Sequence, residues 1–142
     1  MAYSLNQVAM ITGLTTRTLR NHLKQGLLQG EKVQGNWSFS EEALDAYIAE
    51  PSVKQAILAR QHAVVYDFLA DPFKKENRAC TILDCPVSAA EALAIAQFFG
   101  AEISAHGQDI EFRYIQEKHY ARFILAGAEA QVRALMKAYY ER

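Results

Sequence analysis

Residues 4–40, SLNQVAMITGLTTRTLRNHLKQGLLQGEKVQGNWSFS, decide how this chain is read. Ser4 followed three residues later by Gln7 is a capping box, with Tyr3 and Val8 in the places of a hydrophobic staple. A helix is predicted from there to Gly13, whose missing Cβ suits a tight stop. The same grammar then repeats. Thr15 is the next N-cap, Leu14 and Leu19 form its staple, and Leu19, Leu23 and Leu27 continue an apolar side past Gly26. Two short helices across a glycine turn result.

Opposite Leu19 and Leu23, the second helix places Arg17, Arg20, Asn21 and Lys24 at i, i+3, i+4 and i+7, so they share one side, with Thr16 and Thr18 flanking it. That side is basic and rich in hydrogen-bonding groups. Beyond it, an extended piece through Lys32 and Val33, the turn Gln34-Gly35-Asn36 and then Trp37-Ser38-Phe39 predict a small β-hairpin. Trp37 is expected to root this hairpin on a third helix capped by Ser40 and carrying Leu44, Tyr47 and Ile48 inward.

Ser4-Leu5 with Val8-Ala9, Thr12-Gly13-Leu14, Arg17-Thr18-Leu19-Arg20, Gly26-Leu27-Leu28 and Phe39-Ser40-Glu41-Glu42-Ala43-Leu44 together resemble the MerR-like and excisionase-like winged helix-turn-helix families. The resemblance covers about the first third of the chain. It implies a winged helix-turn-helix in residues 1–50 that binds double-stranded DNA, with Thr16, Arg17, Thr18, Arg20, Asn21 and Lys24 on the recognition helix and Lys32 and Asn36 on the wing as contacts. The chain departs from the MerR pattern where Asn21-His22, Gln29-Gly30 and Gly35-Asn36-Trp37 replace an aromatic pair, a proline and a Gly-Tyr-Arg.

The 142 residues, 51% of them apolar, suffice for one ordinary core or two small ones, and two are expected. A net charge of -1 excludes a protein coated in basic residues for unspecific nucleic-acid binding. The charge is uneven, however. Between Leu14 and Trp37 lie Arg17, Arg20, Lys24 and Lys32 against Glu31 alone, whereas Glu41, Glu42, Asp45 and Glu50 follow with no base among them. No apolar run reaches membrane-spanning length and the start has no signal-peptide core, so a cytoplasmic protein is expected. Cys80 and Cys85 read as reduced thiols, since their interval and surroundings match no zinc-ligand spacing.

At Pro51 the pattern breaks, and Ser52 with Gln55 reads as the capping box of a linker helix within residues 51–72, ending near Ala70. Its apolar positions form too wide a stripe for one seam, which predicts contact with its own C-terminal part on one side and a second chain on another. Residues 73–142 then read as a strand at 79–84, a helix capped by Ser88 and Glu91 ending near Gly100, an edge strand at 102–105, strands at 109–116 and 120–126, and a last helix carrying Val132, Leu135, Met136 and Tyr139. This order predicts an α+β class: a small antiparallel sheet with helices on one face, ferredoxin-like in outline.

No phosphate loop, paired-carboxylate site or metal motif is present in the sequence, and nothing in it brings Cys85 together with His106 or His119 as nucleophile and base. No enzyme, cofactor or metal site is therefore expected. A lone helix-turn-helix makes few phosphate contacts, so residues 73–142 are expected to pair two chains, either through an open sheet edge or through the linker helix. A small-molecule effector held among the many aromatics is the second role considered, packing being the commoner use of such residues. The expected function is that of a homodimeric, sequence-specific transcriptional regulator. The alternatives are an excisionase-type factor that bends DNA and a protein-binding adaptor without DNA affinity.

Overall fold

Ser4 caps the first helix as its spacing to Gln7 requires: the amide of Gln7 donates to Ser4 Oγ at 3.2 Å, and the amide of Ser4 donates to Gln7 Oε1 at 2.8 Å. In this computed structural model, which describes residues 2–142, that helix is α1 (Leu5–Thr12). It stops at Gly13, φ 74°, whose amide donates to the Ala9 carbonyl at 2.9 Å. Thr15 then caps α2 (Thr16–Gln25), and Gly26, φ 81°, closes it while Leu27 donates back to the His22 carbonyl. Before α1, the strand β1 (Ala2–Ser4) pairs antiparallel with β3 (Asn36–Ser40), which pairs in turn with β2 (Glu31–Val33). The sequence reading missed β1, because three residues carry no periodicity and become a strand only against Phe39 and its neighbours.

Gln34 and Gly35, both at positive φ (54° and 83°), form the two-residue turn between β2 and β3. Gly30 lets the chain cross the ring of Phe39, since a Cβ there would lie 2.5 Å from Phe39 Cε1. Ser40 caps α3 (Glu41–Ala49). One residue later α4 (Pro51–Ala70) begins. The expected Ser52 capping box is not formed: Glu50 is the N-cap and Pro51 fills the first helical turn, where its missing N–H costs nothing.

The C-terminal part runs β4 (Arg78–Cys85), α5 (Ala89–Ala105), β5 (Glu111–Gln116), β6 (Ala121–Ala128) and α6 (Glu129–Glu141). Its sheet is antiparallel in the order β4-β6-β5, three strands against the four of a full ferredoxin-like fold. Helices α5 and α6 cover the face formed by Phe112, Tyr114, Phe123 and Leu125, where the Phe99 ring sits 5.2–5.8 Å from Tyr139, Phe112 and Phe123. Across the other face lies α4, with Val64 packed among Ile124 and Ala126. The strand expected at 102–105 is instead the end of α5, which continues through Gly100 to Ala105.

Gly100 explains the extension. Its Cα faces α1, where a Cβ would meet Met10 Cγ at 3.0 Å, so the glycine marks a close helix crossing and not a helix end. Through this crossing, and through α1 against β5, buried residues from Tyr3 to Leu135 form one continuous cluster. The head and the helix-covered face of the C-terminal sheet thus share one core, while Val64, Ile124 and Ala126 form a second, smaller cluster on the α4 face.

Candidate nucleic-acid interface

The second helix of the pair is positioned from below by Leu19, fully buried, and from the side by His22, whose Nδ1 lies 2.6 Å from the Tyr47 hydroxyl on α3. Burial holds the Tyr47 hydroxyl well above the ordinary phenol range, so it stays protonated as the partner of the imidazole. With one side fixed in this way, α2 turns Arg17, Arg20, Asn21 and Lys24 outward, and all four are exposed. Thr16 and Thr18 at the flanks are half-buried. Thr18 is also committed to the cap: its amide donates to Thr15 Oγ1 at 3.1 Å, and the Thr15 hydroxyl donates to Thr18 Oγ1 at 3.0 Å.

The hairpin stands beside this helix. Lys32 and Trp37 are cross-strand partners, and Lys32 Nζ sits 5.3 Å from the centre of the indole. Trp37 stacks on Phe39, with ring centres 6.2 Å apart, and stays half-buried. It does not root the hairpin on α3 as expected, because the deep position belongs to Phe39, which is fully buried. Instead, Trp37 lines a cleft of about 380 Å³ with Arg20, Leu23, Lys24 and Lys32. A neighbouring cleft of about 430 Å³ adds Asn6, Gly35 and Asn36 to Arg20, Lys32 and Trp37.

Six of the eight sequence-predicted contacts thus lie on one surface: Arg17, Arg20, Asn21 and Lys24 along the helix, with Lys32 and Asn36 facing it across the clefts. Among the described residues none of Arg17, Arg20, Lys24 and Lys32 is held in an ion pair, which leaves four cations for an anionic partner. Sequence reasoning left out Asn6, which borders the second cleft, and expected Trp37 to sit deeper than it does. Asn6 lies in the first turn of α1, and only the pairing of β1 with β3 brings that turn to the hairpin. Trp37 stands directly opposite Lys32 and shares the face of Phe39 two residues on, so strand alternation gives both rings the same side and no signal of how deep each one sits.

Elsewhere, Cys80 and Cys85 are free thiols, and the Cys85 Sγ lies 3.6 Å from the Tyr139 hydroxyl. Among the described residues no group of three His, Cys, Asp or Glu could hold a metal ion, and no helix is long and apolar enough to cross a membrane.

A protein-family model described as a helix-turn-helix domain matches residues 2–52. No curated protein and no solved structure matches the chain. The match ends two residues into α4, so it takes in the capped helix pair, the hairpin and α3. Residues 2–52 thus form the helix-turn-helix region of the chain, and α2 carries its exposed basic side.

Proposed function

We propose that the protein is a sequence-specific transcriptional regulator of the winged, MerR-like type that binds double-stranded DNA as a homodimer in the cytoplasm. The observation that carries this reading is the convergence of Arg20 and Lys24 of α2 with Lys32 of the hairpin on one cleft. A helix entering the major groove would place Arg17, at its N-terminal end, against base edges. Arg20, Lys24 and Lys32 would then follow the phosphates, with the hairpin acting as the wing.

The C-terminal residues supply dimerisation in this reading, and two features support it. Strand β4 is an edge of its sheet, and α4 exposes Tyr66 and Leu69 to 71% and 75% on the side away from Val64. Effector sensing is supported by a crevice of about 310 Å³ where α1 crosses α5, bordered by Asn6, Met10, Gln97, Gly100 and Ser104. Of the aromatics that the sequence offered for such a pocket, Phe99, Phe112, Tyr114 and Phe123 are buried in the core, while Tyr66 and Tyr140 are exposed.

The test is a binding selection on random duplexes with the full chain, repeated with Arg17→Ala. A preferred site with two half-sites, losing one base preference per half-site in the variant, supports the reading. Affinity that is independent of both sequence and salt overturns it. An excisionase-type factor would share the helix-turn-helix domain, and circularly permuted probes showing strong bending at a single site would move the assignment there.

A further inference from the structure

We propose that two copies of the chain join through strand β4, antiparallel and edge to edge, with Thr81 opposite Thr81 of the second copy, to make one six-stranded sheet. This rests on the homodimeric reading above and gives it a surface and a register.

The two edges of the C-terminal sheet differ. Strand β5 is flanked by α1, so that edge belongs to the DNA-binding head. No described strand pairs with the outer side of β4. Edges of this length are normally blunted by a lysine, a proline or a bulge. Strand β4 has none of these: its eight residues pair with β6 in unbroken register from Arg78–Ala128 to Cys85–Ala121, and Ala79-Cys80-Thr81-Ile82-Leu83 at its centre carry no charge. Ile82 is 52% exposed on the α4 side of the sheet, where the helix packs on β5 and β6 and leaves β4 open.

The strand is also self-complementary. A two-fold axis normal to the sheet keeps α5 and α6 of both copies on one side, so even-numbered residues of β4 must oppose even-numbered ones. With Thr81 at the axis, Arg78 stands opposite Asp84 of the second copy, Cys80 opposite Ile82, and Ala79 opposite Leu83. Among the described residues Arg78 is held only by Glu76, at 3.5 Å and exposed, while Asp84 already accepts from Arg122 at 2.7 and 2.9 Å. Joining would set Asp84 between two guanidiniums, twice per dimer. Shifting the register by two residues in one direction puts Arg78 against Ile82, and in the other sets it against Pro86, which cannot donate to a ladder. Charge therefore selects the Thr81 register.

The arrangement also suits the heads. Five inter-strand gaps of about 4.8 Å put β5 and its mate about 24 Å apart, with the heads further out on the same side of the sheet. That is the range in which two recognition helices reach half-sites about 34 Å apart.

The test uses the full chain with Cys80→Ser and Thr81→Cys. In the proposed register the two new thiols have Cα atoms about 4.5–5.5 Å apart, within the span of a disulfide. Sedimentation should give a dimer, and mild oxidation should convert most of it to a covalent dimer on a non-reducing gel. The control, Cys80→Ser with Glu111→Cys on β5, should not cross-link. Arg78→Glu, a change at an exposed residue, should weaken dimerisation at least tenfold, and Arg78→Lys should restore most of it. A dimer that cross-links no better through position 81 than through position 111, or that ignores Arg78→Glu, overturns the β4 joint and leaves the homodimer standing. A monomeric parent chain overturns both.

Discussion

Gly13, in the turn between α1 and α2, lies directly against Arg113 of β5: a Cβ built on Gly13 would stand 2.7 Å from Arg113 Cδ. The turn that sets the angle of α2 thus rests on the C-terminal sheet, and the glycine is required twice, by its φ of 74° and by this approach. The backbone part alone costs an L-residue about 1–2 kcal/mol. Gly13→Ala should therefore lower stability by that amount in an Arg113→Ala background and by more in the parent. Chemical denaturation of the four chains separates the two parts, and equal losses would show that the arginine simply swings away.

Because α1 is sandwiched between its own head and α5, residues 1–50 alone lose the cover of Met10 and Ile11. That fragment is expected to show a broad thermal transition without a cooperative step, followed by circular dichroism. A sharp transition near that of the full chain would mean that the head is stable without the sheet.

Trp37→Ala should cost about 1–2 kcal/mol, well below the 3–5 of a fully buried aromatic, because the ring is half-exposed and Phe39 keeps its place beneath it. DNA affinity should fall more than stability does, since the ring borders both clefts. Melting and filter binding on the same preparation check the split.

Arg20 and Lys32 line the same two clefts, which predicts that they serve one stretch of phosphate. Each change to alanine should reduce the slope of log affinity against log salt by about one per site. If both reach the same phosphate, the double variant loses less than the two single losses combined, as a double-mutant cycle would show. Additive losses would assign them to separate phosphates.

The hydrogen bonds from Arg122 hold the Asp84 carboxyl below the usual carboxylate range, against a smaller opposing effect of burial. A carboxylate lowered on folding contributes stability that is fully present above its unfolded pKa of about 3.9 and is lost as pH falls through the folded value. The stability difference between the parent and Asp84→Asn should therefore be constant near neutrality and shrink below about pH 4. Its size should be under about 1 kcal/mol, since both partners are partly exposed. A difference that does not change with pH would place the effect elsewhere.

What the sequence determined by itself was local. Caps at Ser4, Thr15, Ser40 and Ser88, the stops at Gly13 and Gly26 and the alternation in β5 depend on neighbours within a few residues, so their spacing was enough to read them. The basic side of α2 was legible for the same reason, since helical period alone places Arg17, Arg20, Asn21 and Lys24 together. Only tertiary structure could decide what those elements meet. Gly100 read as a helix stop, and became the crossing point for α1 because the partner that needs the missing Cβ, Met10, lies ninety residues away in sequence. Gln61 of α4 is polar yet buried, with its side-chain amide 3.4 Å from the Arg122 carbonyl. The union of head and sheet in one core followed from the same cause. Burial is shared among residues that no local pattern links, and a boundary placed at Pro51 by backbone rules carries no information about side chains that pack across it.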